Sequence, residues 1–223
     1  MSSTVVVVGH GMVGHRLVEV LRERDGGDSW RVVVVGEEPR QAYDRVALSS
    51  YVAEKDAEDL SLVDESMRSD PAVDLRVNTA VSRIDRENRR VLTACGQSFD
   101  YDALVLATGS RPFVPPVDGH DLPGVFVYRT LEDLDAIREA SKNAASGVVI
   151  GGGLLGLEAA NALRTLGVRA HVVEMAPWLM PVQVDEGGGH LLGRLVGDLG
   201  LDVHTGVGIQ AVEPVEDGRA ERT

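Results

Sequence analysis

Cysteine is nearly missing from the 223 residues, and Cys95 is the single thiol. One thiol closes no internal disulfide and by itself ligates neither an iron–sulfur cluster nor a structural zinc. Basic charge is also scarce: 22 Lys and Arg stand against 35 Asp and Glu, for a net charge of −13. That balance, with no basic stretch and 4% aromatic residues, excludes a nucleic-acid surface, which needs clustered cations and stacking rings. No run approaches the about 18 consecutive apolar residues of a membrane helix. Residues 4–8 are apolar but too short for a signal-peptide core, and no basic segment precedes them. The histidines, at positions 10, 15, 120, 171, 190 and 204, include no pair at helical metal-binding spacing, so no metal site is expected. These absences lead to the expectation of a soluble cytoplasmic protein with no membrane or nucleic-acid partner.

What is present is an apolar fraction of 43%, enough for a sizeable core. "TVVVVGHGMVGHRLVEVL", residues 4–21, reads as a strand apolar on both faces, a glycine turn and an amphipathic helix. Val13, Leu17, Val20 and Leu21 share one helix face, and Arg16, Glu19, Arg22 and Glu23 the other. "DGGD" (25–28) ends that helix, and "RVVVVGEEP" (31–39) supplies a second buried strand. Residues 39–72 read as loop with a short helix near 57–68. Short alternating strands then flank the turn "DREN", and an apolar strand follows at 103–107. Prolines at 112, 115, 116 and 123 mark a domain edge.

Beyond a helical run at 130–144, the opening pattern returns in "GVVIGGGLLGLEAANALRTLGVRAHVVEMAP" (147–177). A last helix (186–199) and strand (201–205) precede the polar tail "EDGRAERT". Strand, G-x-G-x-x-G, helix and strand therefore occur twice, with Gly9, Gly11 and Gly14 in the first copy and Gly151, Gly153 and Gly156 in the second. The duplication predicts an α/β fold of two Rossmann-like dinucleotide-binding domains, residues 1–122 and 123–223.

Each glycine of such a turn has its own task. The first allows a tight reversal, the second lets a pyrophosphate approach the backbone, and the third lets helix and strand pack closely. The helix then offers unpaired N–H groups and a positive dipole end to the phosphates. A strand-end carboxylate completes each copy: Glu37 or Glu38 after "VVVVG", and Glu174 closing "HVVE". A carboxylate there accepts hydrogen bonds from a ribose diol and repels a 2′-phosphate. Either copy alone also reads as a packing turn with a solvated glutamate. Two copies in the same context favour two bound dinucleotides. A flavin with a nicotinamide makes a hydride relay, whereas two nicotinamides have no obvious chemistry.

The two turns, joined through "ALVLATGSRP", resemble the two-dinucleotide-fold FAD/NAD(P)-dependent oxidoreductases over nearly the whole chain. More narrowly, "GHGMVGHRLVE", "EEPRQAYDRVALSSY", "GGGLLGLEAANAL" and "HVVEMAPWLMPVQVDEGGG" resemble the N-terminal flavin module of the large subunit of NADH-dependent assimilatory nitrite reductases. The resemblance implies direct hydride transfer from NADH to FAD, with electrons passed on to an iron–sulfur and siroheme domain or a small redox protein. It implies that Gly9, Gly11, Met12, Val13 and Gly14 line the FAD pyrophosphate. Glu37 or Glu38 would hold the adenosine ribose and Arg45 a phosphate. Val81 would touch the adenine through its backbone, and Ala107, Thr108 and Gly109 would approach the flavin. Gly151, Gly153, Leu154, Leu155 and Gly156 would bind the NADH pyrophosphate, with Glu174 on its ribose. Glu158 is placed where nicotinamide meets flavin, as the catalytic candidate.

On residue type alone, Arg45 also reads as a surface cation, Glu158 as an acid at a helix N-terminus and Val81 as core. Glu174 is followed by Met175 and Ala176 rather than arginine, which favours NADH over NADPH.

The sequence departs from this family in two ways. Disulfide reductases of the wider group use a cysteine pair, so the lone Cys95, expected to be partly buried, excludes that chemistry. Relatives also return after the NAD domain to complete the FAD domain, so a chain truncated at its C-terminus, without iron–sulfur or siroheme ligands, is the expectation. The other readings are a ferredoxin- or rubredoxin-reductase-like flavoprotein and a nucleotide-binding remnant without turnover.

Overall fold

The computed structural model describes residues 2–25, 29–53 and 55–214, so the end of "DGGD" and the tail "EDGRAERT" lie outside the described residues. From the N-terminus, β1 (Ser3–Val8) leads through the first glycine turn into α1 (Met12–Asp25) and β2 (Trp30–Val35). A 3-10 turn at Arg45–Ala47 runs into two short helices, α2 (Leu48–Ala53) and α3 (Glu65–Arg68). Five strands follow: β3 (Val73–Arg76), β4 (Val81–Asp85), β5 (Arg90–Thr93), β6 (Ser98–Asp100) and β7 (Ala103–Leu106). The second repeat comprises α4 (Leu131–Ser141), β8 (Ser146–Ile150), α5 (Leu154–Thr165), β9 (Arg169–Glu174), α6 (Glu186–Asp198) and β10 (Asp202–Thr205).

Contacts divide the chain into two units, residues 1–47 with 56–110, and residues 48–55 with 111–223. In the first unit the parallel sheet has the order β3-β2-β1-β7, with Val5 opposite Val32 and Val8 opposite Leu106. The valine runs of β1 and β2 are buried on both faces because both faces are covered. Val5, Val7, Val32 and Val34 pack with Val18 of α1 and with Val63 and Met67. Val6, Val8, Val33 and Val35 pack instead against Val91, Val81 and Phe99 of a three-stranded antiparallel layer, β4-β5-β6. Each fully buried valine contributes about 1.5 kcal/mol or more.

The second unit repeats the plan with a parallel sheet in the order β10-β9-β8. Its core lies on one face, where Ala170, Val172 and Leu201 meet Ala160 of α5 and Val196 of α6. Helix α4 starts with a capping box: the Thr130 side chain accepts from the Asp133 N–H, and the Asp133 carboxylate accepts from the Thr130 N–H.

The duplicated α/β architecture matches the sequence reading, with a difference in the first loop region. The helix expected near 57–68 is only the single turn α3, capped by Asp64, while helix α2 forms at 48–53, where none is expected. Among the described residues, no helix is long and apolar enough to cross a membrane.

Candidate functional site

The first glycine turn puts its three glycines in three different environments. Gly9 has φ +110°, and a side chain there would collide with the Ala107 carbonyl. Gly11 faces open space, with nothing within 4 Å of a side chain's first carbon. Gly14 lies against the Gly9 carbonyl, so α1 can start close to the strand. Backbone bonds fix the turn: the Gly9 N–H donates to Val35 O at 2.8 Å, and the Ala107 N–H to Val8 O at 2.8 Å. Ala107 thus joins the turn although it lies far along the chain. Thr108 and Gly109 follow it at the surface, and Met12 and Val13 begin α1, with Val13 exposed.

The carboxylates at the end of β2 differ. Glu37 is exposed and Glu38 half-buried. Glu38 accepts a 2.7 Å hydrogen bond from the Tyr43 hydroxyl and forms an ion pair with Arg45. The Arg45 guanidinium also lies over the Tyr43 ring, 4.9 Å from its centroid. Arg45 is therefore engaged in this cluster rather than a free surface cation. Val81 packs partly buried in the antiparallel layer, which accords with core and leaves its backbone role as an expectation.

His10, between the first two glycines, is buried. Burial foremost, and then the charge of His15, lowers its pKa from 6.5 to about 4. Its ring is neutral at ordinary pH, and its Cβ lies beside Gly36, where a side chain would press on it.

The second turn repeats the first. Gly151 has φ +108°, and its N–H donates to Val173 O at 2.8 Å, as Gly9 does to Val35. Gly153 is the N-cap of α5, makes no side-chain cap bond and faces open space. Gly156 lies against the Gly151 carbonyl. Leu154 and Leu155 are exposed at the start of α5.

Glu174 bends back over this turn. Its Oε2 accepts from the Gly152 N–H and its Oε1 from the Ala176 N–H, both at 2.7 Å. Glu158, half-buried on α5, acts on Tyr128. Burial raises the Tyr128 phenol above its usual pKa, a Ser49 contact opposes the shift, and the Glu158 charge adds to it.

Cys95 corrects the expectation of partial burial. It is exposed in the turn after β5, where the Thr93 hydroxyl, 3.2 Å from its Sγ, lowers the thiol pKa. Among the described residues, no group of three or more His, Cys, Asp or Glu is arranged to hold a metal ion.

The structure thus joins Gly9 with Ala107 and Glu38 with Arg45 in the first unit, and Gly151–Gly156 with Glu174 in the second. Sequence reasoning overlooked Tyr43, His10, Gly152 and Tyr128. The string "AYDR" places Tyr43 two residues before Arg45, a signal for the stacked pair, but nothing in the sequence marks His10 as buried or Tyr128 as half-buried.

Comparison with known proteins agrees with the duplicated α/β fold. The sequence model of the pyridine nucleotide-disulphide oxidoreductases matches residues 3–222. The chain is 54% identical over 201 residues to the nitrite reductase [NAD(P)H] large subunit of Klebsiella oxytoca, covering 90% of this chain and 21% of that protein. It is 43% identical over 214 residues to the nitrite reductase (NADH) large subunit of Escherichia coli K12, covering 96% and 25%. The chain therefore spans a quarter or less of the length of these relatives. Among solved structures, a ferredoxin reductase from Rhodopseudomonas palustris superposes with a TM-score of 0.87 at 30% identity, covering 97% of this chain and 53% of that one.

Proposed function

Because the chain belongs to the pyridine nucleotide-disulphide oxidoreductase family, we propose that it is an NADH-oxidising flavoprotein module, with FAD at the first glycine turn and NADH at the second. It serves as the electron-entry part of a nitrite reductase that converts nitrite to ammonium. The supporting observation is the duplicated turn: in each copy the middle glycine faces open space while the third seats the helix against the first. That cradle suits a pyrophosphate, and a side chain on Gly11 or Gly153 would fill it. When bound, the two cofactors supply hydride transfer from a dihydronicotinamide to a flavin.

The protein's contribution is positioning and electrostatics. The α1 and α5 N-termini offer N–H groups to phosphate oxygens. Glu174, whose carboxylate is oriented by the Gly152 and Ala176 N–H groups, would accept from the adenosine ribose of NADH. In the first unit Glu37, the more exposed carboxylate, would hold the FAD ribose, and Arg45, paired with Glu38, would serve a phosphate. Thr108 and Gly109 would serve the flavin in the first unit, and Glu158 would serve the nicotinamide in the second. No side-chain acid or base is required for the transfer itself.

The electrons leave to an iron–sulfur and siroheme domain or to a small redox protein. The likeness to the R. palustris enzyme favours, as a second reading, a ferredoxin-reductase-like activity. Anaerobic NADH added to the FAD-loaded chain tests the proposal: bleaching of the flavin absorbance supports it, and an oxidised spectrum at saturating NADH refutes it. Reoxidation by a ferredoxin, with none by a siroheme domain, would select the second reading.

A further inference from the structure

Gly189 and Gly193 stand one turn apart on α6, and their surroundings differ. A side chain at Gly189 would strike the Trp178 ring, 2.2 Å from its first carbon, so this glycine lets the indole lie against the helix. At Gly193 a side chain would meet nothing within 4 Å, and the backbone is ordinary right-handed helix. Glycine is a poor helix residue, and neither backbone nor packing calls for it at 193. What its missing side chain leaves is a cleft of about 230 Å³ between α6 and β10.

Trp178, Leu179 and Val203 give the cleft apolar walls, and Thr205, His190 and Arg194 line it with polar groups. His190 meets the Trp178 ring edge-on, with centroids 6.4 Å apart, and its Nε2 lies 3.7 Å from Glu186 Oε1, so the indole is held as a wall. Two donors around the cleft lack acceptors. The Trp178 indole N–H is buried with no hydrogen-bond partner among the described residues. Carboxylates abound in a chain of net charge −13, yet none of the described ones pairs with the exposed Arg194 guanidinium. None of the lining residues belongs to the second glycine turn, and Glu174 is not among them.

We propose that this cleft binds a small carboxylate carried on a ring-sized apolar body. A cavity of about 150 Å³ with apolar walls holds benzene, so this one has room for a single ring and its carboxylate. The ring lies between Trp178 and Val203, and the carboxylate takes the paired N–H groups of Arg194 with the Thr205 hydroxyl beside it. An acceptor next to the indole also removes the cost of its unmet N–H. The inference rests on the cleft alone and stands independently of the cofactor assignment.

The test uses benzoate as the probe and the fluorescence of Trp178, read in a Trp30→Phe chain because Trp30 is the other indole. The expected result is saturable quenching by benzoate, with benzyl alcohol, which keeps the ring and lacks the charge, about ten-fold weaker or more. Acetate, which keeps the charge and lacks the ring, should be weaker by about as much. Gly193→Leu fills the cleft from the helix side and should keep the circular dichroism of the chain while benzoate affinity falls about ten-fold or more. Arg194→Gln, at an exposed position, should lower benzoate affinity about ten-fold and leave that for benzyl alcohol unchanged. Absence of saturable quenching, equal affinity for benzoate and benzyl alcohol, or benzoate affinity unchanged in either folded variant would overturn the proposal. So would displacement of benzoate by NADH, which would place the probe in the nucleotide site.

Discussion

The Gly152 N–H points at the Glu174 carboxylate across 2.7 Å, linking the second glycine turn to the end of the strand it precedes. The Ala176 N–H holds the other oxygen, so the carboxylate is oriented before any ribose arrives. Hydrogen bonds to an ionised group contribute about 1.5–3 kcal/mol. Glu174→Ala should therefore weaken NADH binding by about ten-fold or more and narrow the preference over NADPH, because the repulsion of a 2′-phosphate goes with the charge. Titration with both nucleotides checks this, and an unchanged NADH to NADPH ratio would remove Glu174 from the ribose site.

The middle and third glycines should fail in different ways. Gly11→Ala and Gly153→Ala place a methyl group in open space, so thermal stability should hold while binding at the altered turn falls by about ten-fold or more. Gly14→Ala and Gly156→Ala drive that methyl into a backbone carbonyl and should cost about 1–3 kcal/mol of stability. Thermal melts beside binding isotherms separate the two classes. Equal destabilisation by all four would refute the cradle.

His10 should make the fold sensitive to acid. Its folded pKa of about 4 lies below the ordinary 6.5, so the unfolded chain binds the extra proton first. The stability tied to the neutral ring is complete above pH 6.5 and is lost as pH falls towards 4, by about 3 kcal/mol in total. The stability difference between wild type and His10→Leu should change by that amount across this window. A pH-independent difference would show that His10 carries no such linkage.

Arg45 and Glu38 should respond in opposite directions. Arg45→Ala removes the cation from the first site and should weaken FAD binding and reduce its salt dependence. Glu38→Gln releases Arg45 from its ion pair and should leave FAD affinity unchanged or raised. Isotherms at low and high salt decide this, and a loss of affinity in Glu38→Gln equal to that in Arg45→Ala would assign Glu38 to the ribose instead.

The repeat could be read from the sequence because its signals are local. Valine runs, glycine spacing and apolar periodicity each depend on a few neighbours, and β1-α1-β2 and β8-α5-β9 follow them closely. The helix α2 could not be read in this way. "LSSYVA" has no strong helical pattern, and the burial of Leu48, Tyr51 and Val52 is a tertiary effect. In the candidate site, the glycines and Glu174 follow from spacing. The engagement of Glu38 by Arg45 and Tyr43 depends on how a loop folds back onto the end of β2. The exposure of Cys95 likewise depends on the turn that carries it, not on its neighbours' hydropathy.

The most direct test of the central claim is the number of dinucleotides held per chain, measured by equilibrium dialysis with FAD and NADH together. Two structurally equivalent turns predict one FAD and one NADH per chain, with Gly11→Ala weakening only the FAD and Gly153→Ala only the NADH. A single dinucleotide, or two that respond alike to either substitution, would contradict the account.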